Sequence, residues 1–450
     1  MGLTEKVAAF VVDTHFDKIP KDTSNLAKRA FLDCLGVSLI GSGEPVSKIL
    51  QEFLQETGGT PTASVIGTKV RTSSPWAALA NGTIAHAIDY DDAAGLPLPF
   101  HPSVPVLPVV LALGEQIGAS GKQVLEAYIV GLEVETKIGS IMGMKLTREG
   151  WHATGIVGTL GATAAGTKIL QLDQENTRTA FGLAASLVGG LSLNFGTMTK
   201  PFHAGQAACN GVTSSILAGK GFTANKSILE ETGGFLDIFT GTKDYDPDKV
   251  IGSLGEPYYL VSPGITIKKY PSCHGTHTAL DAIFDLMKEH GFSYQDVAVV
   301  ECGVRPHVLK GLIYEKPTNH LEAKFSMQYC LAAALFYGRV GLEQFDNEKI
   351  NRPEVREIMG KVNMYARPDL ESQPPTSILV VKLRDGREFL RRVDWPRGGP
   401  GTPLSWEEIA AKFKNCAGSV LPSNKIDSLV QMIESMEEIK DIRALVELVT

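Results

Sequence analysis

The chain has 450 residues, of which 43% are hydrophobic and 21% are charged. This length exceeds what one ordinary hydrophobic core supports, so we expect two domains. The formal net charge of -7 is modest and no block of five like charges occurs, which argues against nucleic acid and anionic membrane surfaces as partners.

Cysteine usage and hydropathy bear on the compartment. The six cysteines are scattered without a CxxC pair, which is typical of reduced thiols and offers no framework for a zinc or iron–sulfur site. The N-terminus is charged and amphipathic rather than a signal sequence. The apolar stretches at 102–114 and 179–199 do not meet the roughly 20-residue requirement of a membrane span. We therefore expect a soluble, cytoplasmic protein.

Helices are predicted almost throughout the chain from about residue 4 to residue 265. Apolar positions three and four residues apart predict helices over 26–42 and 120–142, the latter with Ser120 as its N-cap. The stretches 155–172 and 179–193 are rich in Gly and Ala and apolar nearly all round. We predict that these two are central helices packed closely against one another.

After Pro263 the pattern changes and strands are predicted. The β-branched run at 297–306 predicts one strand, and 377–395 predicts two strands around the dipeptide Asp385-Gly386, a strong hairpin signal.

Helical patterns alternate with these strands. Helices are predicted at 277–291 and 322–338, and a Gly- and Pro-rich linker covers 397–406. A capping box that begins at Ser405 then opens a helical tail that extends to residue 450. The pattern does not decide whether this tail packs on the first domain or on the second.

The stretch HAIDYDDAAGLPLPFHPS contains the first candidate site. Asp89, Asp91 and Asp92 fall within four residues, and a Pro- and Gly-rich loop leads from them to His101. The loop could bring an acid and an imidazole together as an acid/base pair, or it could be a polar helix end with no catalytic role. Helical spacing would place His86 and Asp89 on one side and turn Asp91 elsewhere.

His152, in EGWHATGIVGTLGA, directly precedes a Gly-rich helical stretch. At a helix N-terminus the macrodipole disfavours an imidazolium and favours a bound anion. A structural histidine is the alternative.

Lys200 is isolated in the sequence, because the nearest charged residues are Arg178 and Lys220. An ammonium in so apolar a setting can reach water, pair with a distant carboxylate or bind an anion. Desolvation would make this ammonium usable as an acid or a base near neutrality. His203 follows in the same stretch.

The stretch IKKYPSCHGTH places Lys268, Lys269, Cys273 and His274 close together where the helical region gives way to strands. One Cys with two His is a weak metal motif, so a cationic loop that binds carboxylates fits better. Together the stretches describe a cleft lined for anions, with Asp89 as the nearest base. No motif for nucleotide binding or for a hydrolase nucleophile elbow is present.

Five motifs in order and spacing resemble the MmgE/PrpD family, which includes 2-methylcitrate dehydratase, cis-aconitate decarboxylase and iminodisuccinate epimerase. They are HAIDYDD followed by HPS, GWHATGIVGTLGA, NFGTMTKPFHAGQAACNG, KKYPSCHGTH and EAKFSMQY. The resemblance implies a mainly α protein in which 1–265 and 405–450 form a large all-helical domain and 266–404 form a smaller inserted α+β lid. It also implies a homodimer, a small anionic carboxylate as substrate, and no metal or organic cofactor.

The resemblance also implies which residues form the site. The residues carried over as catalytic are Asp89, His152, Lys200 and Lys268, and those carried over as substrate-binding are His101, Ser103, Thr199, Cys273, His274 and Tyr314. Two departures argue against a decarboxylase and weaken 2-methylcitrate dehydratase. The stretch from Ala93 to Pro97 is apolar, and Cys273 stands where the decarboxylase has a His.

The expected chemistry is proton movement at a carbon next to a carboxylate. Lys200 and Lys268 would hold the substrate carboxylates, and the isolation of Lys200 would keep it free of competing carboxylates. Asp89 or His152 would take the proton, with His101 or Tyr314 assisting. We expect a hydratase or dehydratase, with an epimerase, a decarboxylase or a catalytically silent carboxylate-binding protein as alternatives.

Overall fold

The computed structural model describes residues 2–95, 100–241, 246–247, 252–371 and 374–450. Within these ranges the fold is mainly α, as predicted, and no helix is long and apolar enough to cross a membrane. The helices are α1 Leu3–Asp13, α2 Lys21–Gly41, α3 Pro45–Thr57, α4 Ser74–His86, α5 Ser103–Ile117, α6 Gly121–Met142, α7 Lys145–Arg148, α8 Ala153–Ile169, α9 Gln174–Ala184, α10 Thr199–Gly219, α11 Phe235–Thr240, α12 His277–His290, α13 Val308–Gly311, α14 His320–Ala323, α15 Met327–Tyr337, α16 Asn347–Ile350, α17 Pro353–Met359, α18 Trp406–Ala417, α19 Ser423–Glu434 and α20 Arg443–Val446. The strands are β1 Ala63–Ser64, β2 Arg71–Thr72, β3 Ala93–Ala94, β4 Ile265–Thr266, β5 Val297–Val304, β6 Val362–Ala366, β7 Ser377–Leu383 and β8 Glu388–Val393.

Small residues let the central helices α4, α8 and α10 approach closely. A Cβ added to Gly205 of α10 would lie 2.2 Å from the carbonyl oxygen of Leu79 in α4. A Cβ added to Gly211 would lie 2.5 Å from the Cβ of Ala162 in α8. Helix α8 is buried along almost its whole length, so the prediction of a central helix there is confirmed.

The predicted helix over 179–193 is wrong in its second half, because α9 ends at Ala184. Gly190 has a φ of 129°, which a right-handed helix does not accommodate. Its carbonyl oxygen accepts a hydrogen bond from the backbone N–H of His152 at 2.9 Å. The chain therefore leaves the helix and passes beside the N-terminus of α8.

The predicted strands and hairpin are confirmed. Strands β5, β6, β7 and β8 form one sheet in the order β6-β5-β7-β8, with β5 and β6 parallel and the other pairs antiparallel. Helices α12 and α15 pack against this sheet through a shared apolar core. The helix predicted over 322–338 begins late, at Met327, because the Ser326 side chain accepts from the N–H of Tyr329 and caps it there.

The C-terminal tail packs on the first helical segment, which the sequence pattern had left open. The largest apolar core includes residues from 19–267 and from 404–449, whereas a second core lies within 270–383. On this basis we propose the division into a helical domain of 1–265 with 405–450 and an inserted α+β domain of 266–404. The homodimer stays a prediction.

Replacing Gly205 with alanine tests the close approach of α4 and α10. We expect Gly205→Ala to lower the free energy of unfolding by about 3 kcal/mol or more, because the new methyl group would overlap Leu79 and Thr83. Urea denaturation measures the change. The matched control is Gly43→Ala, whose Cβ would meet only the Ile40 carbonyl oxygen at 3.4 Å and should cost about 0.5 kcal/mol or less. Equal losses in the two variants would contradict the packing argument.

Candidate active site

A cavity of about 270 Å³ lies between the helical region and the inserted region. It collects six of the ten residues predicted for the site, namely Asp89, His101, His152, Lys200, Cys273 and His274. Among the described residues, its lining does not include the other four, which are Ser103, Thr199, Lys268 and Tyr314.

Asp89 is the centre of the charged cluster. It follows α4 with a φ of 54°, a left-handed conformation that Asp tolerates better than most residues. Its Oδ1 accepts from Lys200 Nζ, and its Oδ2 accepts from Lys268 Nζ at 3.0 Å. Lys268 Nζ also donates to the Asp89 carbonyl oxygen at 2.8 Å. The carboxylate therefore joins the first turn of α10 to the segment that follows β4.

The expectation that Lys200 stands apart from carboxylates is wrong. It is isolated along the sequence but is paired with Asp89 in space, across 111 positions. Burial alone would raise the pKa of Asp89, but Lys200 and Lys268 outweigh it and hold that pKa well below its ordinary value. Asp89 is therefore ionised and is a weak base, which argues against its predicted role as proton acceptor.

Lys200 keeps hydrogen-bonding capacity toward the cavity. Its ammonium has three N–H donors, and its hydrogen bond within the described residues is the one to Asp89. Lys200 is 4% exposed and lines the cavity. The rings of Phe195 and Phe325 lie 5.5 Å and 5.1 Å from its Nζ and shield it from bulk water. The arrangement leaves a desolvated ammonium able to bind an anion.

Lys268 and Lys269 are not among the described residues that line the cavity. Lys268 is 0% exposed and lies behind Asp89. Burial would lower its pKa, but the Asp89 carboxylate outweighs this and the pKa is raised. Lys269 places its Nζ 5.3 Å from the ring of Tyr270 and is absent from the described cavity lining. Lys268 thus supports Asp89 rather than facing the cavity.

The returning C-terminal helix positions both partners of this ion pair. Lys412 of α18 donates to the carbonyl oxygens of Tyr90 and Lys268, each at 2.8 Å. It also lies 2.7 Å from the Asp33 carboxylate of α2. The buried ammonium of Lys412 therefore holds two segments at a fixed separation, the one that follows Asp89 and the one that contains Lys268.

Asp91 is not turned away from His86, so the helical spacing argument is wrong here. Helix α4 ends at His86, and the left-handed residue Asp89 reverses the course of the chain. Asp91 Oδ1 lies 3.0 Å from His86 Nδ1, and Asp91 Oδ2 lies 2.7 Å from His101 Nδ1. Asp91 is fully buried and bridges the two imidazoles.

The surroundings of His101 determine its tautomer. Its Nδ1 faces two acceptors, the Asp91 carboxylate at 2.7 Å and the Asp92 carbonyl oxygen at 3.0 Å, so Nδ1 carries the hydrogen. Its Nε2 then has a free lone pair, 3.9 Å from Asp89 Oδ1. Burial, opposed by Asp91 and reinforced by the two lysines, lowers the pKa of His101. The imidazole is neutral near pH 7 and can accept a proton on Nε2.

His152 lies at the N-terminus of α8, as predicted. Its Nδ1 is 3.0 Å from the Nδ1 of His203, and its buried Nε2 has no hydrogen-bond partner within the described residues. Burial and the charge of Lys200 hold the pKa of His152 well below its ordinary value. A neutral imidazole therefore faces the cavity beside Lys200.

Three predicted contacts with substrate are not supported by the geometry. Ser103 is buried, and its hydroxyl forms hydrogen bonds with the Asp92 carboxylate and the Tyr128 hydroxyl instead of facing a ligand. Thr199 is exposed at the start of α10. The Tyr314 hydroxyl donates to the Phe195 carbonyl oxygen at 3.0 Å, so it braces the cavity wall.

Cys273 and His274 line the cavity from the inserted region. Burial raises the pKa of the Cys273 thiol, so the group is uncharged near pH 7. Burial and the nearby Lys268 lower the pKa of His274 to about 4, so this imidazole is also neutral. The apolar stretch from Ala93 to Pro97 was noted above as a departure from the family pattern. Ala93 and Ala94 form β3 and line the cavity, whereas Leu96 and Pro97 lie outside the described residues.

Four basic residues that the sequence motifs did not indicate also line the cavity. They are Arg148, Arg305, His307 and Lys310. Arg305 directly follows β5 and falls near the end of the strand predicted over 297–306, so an arginine at the end of a strand was the available signal. Arg148 and Lys310 are indistinguishable from ordinary surface residues in the sequence.

A group of four side chains has metal-ligand composition. Ligand atoms of His86, Asp89, Asp91 and His101 lie within 4.8 Å of one another. However, the Asp89 oxygens are paired with two ammonium groups, and the Asp91 oxygens are paired with two imidazoles. A divalent cation would have to displace these partners against the repulsion of Lys200 and Lys268. The group fits an ion-pair cluster better than a metal site.

Comparisons with known proteins cover nearly the whole chain. The model of the MmgE/PrpD N-terminal domain matches residues 5–248, and that of the MmgE/PrpD C-terminal domain matches residues 270–438. The cis-aconitate decarboxylase of Mus musculus is 29% identical, over 99% of this chain and 93% of that protein. A cis-aconitate decarboxylase of Aspergillus terreus is 28% identical, over 99% and 96%. The mitochondrial 2-methylcitrate dehydratase of Yarrowia lipolytica is 24% identical, over 91% and 84%.

Replacing Asp89 with asparagine tests the central ion pair. We expect Asp89→Asn to lower the free energy of unfolding by about 3–5 kcal/mol, because two buried ammonium groups lose their shared counter-charge. The matched control is Asp17→Asn, whose side chain is 84% exposed in its pair with Lys122 and should cost about 1 kcal/mol or less. Urea denaturation of both variants decides the point. Similar small losses would mean that Asp89 is not the counter-charge of both lysines.

Proposed function

This chain belongs to the MmgE/PrpD family, and we propose that it is an enzyme that moves a proton at the carbon next to a carboxylate of a small di- or tricarboxylic acid. The reaction proposed is that of a hydro-lyase, the addition or removal of water, as the name of the relative 2-methylcitrate dehydratase states for that protein. The observation that supports it best is that Lys200 and His101 line the same cavity, with the Asp91 carboxylate beside Nδ1 of His101.

Lys200 is assigned to the substrate carboxylate next to the reacting carbon. Its unused N–H donors and its desolvation suit the charge that grows on this carboxylate when the α-proton leaves. In a site that excludes water such a cation stabilises the developing charge far more than solvent does. The pairing with Asp89 keeps Lys200 in position before the substrate arrives.

His101 is assigned as the proton acceptor, in place of Asp89 or His152. The Asp89 carboxylate is held by two ammonium groups, which makes it a weak base. His101 instead has a free Nε2, a carboxylate on Nδ1–H, and a place in the cavity lining. The Asp91 carboxylate stabilises the imidazolium that forms when His101 accepts a proton.

The dehydration step balances with these residues alone. Nε2 of His101 takes the α-proton, and the C–H electron pair moves into the adjacent carboxylate, which Lys200 stabilises. That electron pair then forms the C=C bond as the hydroxyl leaves the neighbouring carbon. The hydroxyl accepts the proton held on His101 and departs as water, which returns the imidazole to its neutral state.

Decarboxylation is the second candidate, because two of the relatives named above as cis-aconitate decarboxylases match 99% of this chain. In that reaction a C–C bond breaks, carbon dioxide leaves, and a protonated group returns a proton to the carbanion. Cys273 lines the cavity, and the resemblance of the KKYPSCHGTH motif to the family implies that the decarboxylase branch has a histidine there. A thiol of raised pKa is a poorer proton donor than an imidazolium, which favours the hydro-lyase.

Proton NMR in deuterated buffer identifies the reaction. The protein is incubated with 2-methylcitrate, citrate, cis-aconitate and iminodisuccinate in separate samples. We expect loss of a hydrogen next to a carboxylate together with growth of a vinyl signal, or the reverse for an added alkene acid, because the C=C bond forms as water leaves. Deuterium incorporation without an alkene would indicate an epimerase, and loss of a carboxyl group would indicate a decarboxylase.

Lys200→Met is the control for this experiment. It keeps the length of the side chain but removes the cation, and it should lower kcat/KM by roughly 10²–10³-fold or more. A folded Lys200→Met protein with wild-type turnover would refute the assignment. Binding of every acid without exchange or turnover would indicate a carboxylate-binding protein instead of an enzyme.

Asp91→Asn tests the role of this carboxylate beside His101. We expect kcat/KM to fall by roughly 10²–10⁴-fold, because the amide no longer stabilises the imidazolium, even though the Asp92 carbonyl oxygen still accepts from Nδ1–H. The carboxylate of Asp91 raises the pKa of His101, so its loss should move the acid limb of the pH profile of kcat/KM to lower pH.

Asp92→Asn is the matched control. Burial raises the pKa of Asp92 to about 8, so this carboxyl is largely protonated at pH 7 and an amide is close to it in charge and shape. We expect kcat/KM within about fivefold of wild type. If the two variants lose activity equally, or if Asp91→Asn leaves the acid limb unmoved, His101 is not the proton acceptor.

A further inference from the structure

The cavity has a second set of basic residues, called here its Arg305 end, which the proposed reaction does not use. Arg305, His307 and Lys310 come from the segment after β5, Arg148 comes from α7, and all four line the same cavity as Lys200. Cys273, His274 and Gly275 line the cavity as well. Two sets of cationic side chains are therefore open to one ligand space.

Arg305 is a buried cation that lacks a close carboxylate partner within the described residues. It is 3% exposed. Its Nη2 donates to the Glu371 carbonyl oxygen at 3.3 Å, and its buried Nε has no hydrogen-bond partner in the part of the chain that the structure describes. A guanidinium has five N–H donors, and a buried charge of this kind is costly unless it is paired. The unused donors indicate a ligand that supplies acceptors.

The backbone around Arg305 is held by the sheet and does not depend on a ligand. Val304, the last residue of β5, pairs with Ser377 of β7, and its carbonyl oxygen accepts from the Arg367 N–H at 2.7 Å. The Arg305 carbonyl oxygen accepts from the Val308 N–H at 3.0 Å, which begins α13. A side chain anchored in this way is suited to fix the orientation of a ligand.

His307 adds a neutral donor to the same end. Burial, together with the charge of Arg305, lowers the pKa of His307 to about 4. Its Nδ1 is buried without a partner within the described residues. The imidazole can therefore offer an N–H to an anion without carrying a charge of its own.

The balance of charge also favours an anion at this end. Around Lys200, the ammonium groups of Lys200 and Lys268 are both paired with Asp89, and the Asp91 carboxylate lies beside the neutral His101, so the formal charges of these two lysines and two carboxylates cancel.

At the Arg305 end, the carboxylate of Glu371 is shared by Arg148 and Arg305, and Lys310 lines the same cavity. Arg148 Nη2 lies 2.9 Å from Glu371 Oε1, and Glu371 Oε2 is buried without a hydrogen-bond partner among the described residues. Positive charge remains in excess there, so this end attracts the second negative charge of a substrate.

We propose that Arg305, assisted by His307, is a second carboxylate-binding subsite that binds the carboxylate farthest from the reacting carbon. The subsite restricts the enzyme to acids with at least two carboxylates and positions the reacting carbon beside Lys200 and His101. The subsite rests on the proposed function for the identity of the reacting carbon, whereas the binding of a carboxylate at Arg305 does not depend on which reaction occurs. Arg305 is thus a specificity-determining residue.

The test is a binding measurement with inert acids, so it does not require turnover. Isothermal titration calorimetry compares tricarballylate, which has three carboxylates, with butyrate, which has one. We expect Arg305→Gln to weaken tricarballylate roughly 10- to 100-fold and to leave butyrate within about twofold, because only the larger acid reaches both ends. Arg305→Lys should fall between wild type and Arg305→Gln, since it keeps the charge without the planar fork.

The control is Arg339→Gln, an exposed arginine paired with Glu343 outside the cavity lining, which should bind both acids as wild type does. Thermal unfolding confirms that each variant is folded. If Arg305→Gln does not fold, Arg305→Met replaces it in the binding measurement. Unchanged tricarballylate affinity, or an equal loss for both acids, would overturn the proposal. If the NMR panel shows no turnover while Arg305→Gln still weakens only tricarballylate, the proposed reaction fails and the subsite stands.

Discussion

The buried carboxylate of Asp89 between Lys200 and Lys268 is the interaction on which the rest of the site depends. The two lysines come from distant parts of the chain, one from the first turn of α10 and one from the segment after β4. A buried charge must be paired to be tolerated, so this ion pair forces the helical region and the start of the inserted region into one arrangement. Lys412 reinforces it from the returning C-terminal helix.

The same charges determine which groups can exchange protons. Asp89 is kept ionised by two cations and therefore acts as a fixed counter-charge. The cations and the burial keep His101 and His152 neutral, and a neutral imidazole is what a proton acceptor needs. Asp91 then distinguishes His101 from His152. The Nδ1 of His101 lies beside the Asp91 carboxylate, whereas the Nδ1 of His152 lies beside the imidazole of His203.

The position of the cavity between two apolar cores explains how one fold can serve several acids. The helical region supplies Lys200, His101 and His152, whereas the inserted region supplies Cys273 and Arg305. Proton transfer is thus assigned to one wall and recognition of the rest of the substrate to the other. Substitution on the second wall can change the acid that binds without disturbing the ion pair beneath the first.

Local patterns in the sequence predicted the fold class, the long helices, the 377–395 hairpin and the stretches that contain the site, because apolar periodicity, capping residues and turn dipeptides act locally. These patterns also identified six residues of the cavity lining. The partners of those residues depend on the folded chain: Lys200 is paired with a carboxylate 111 positions away, and Asp91 turns toward His86 because Asp89 is left-handed. Arg305 was missed for the same reason. A charge has its chemical meaning from what surrounds it in space, and burial and pairing are properties of the folded chain alone.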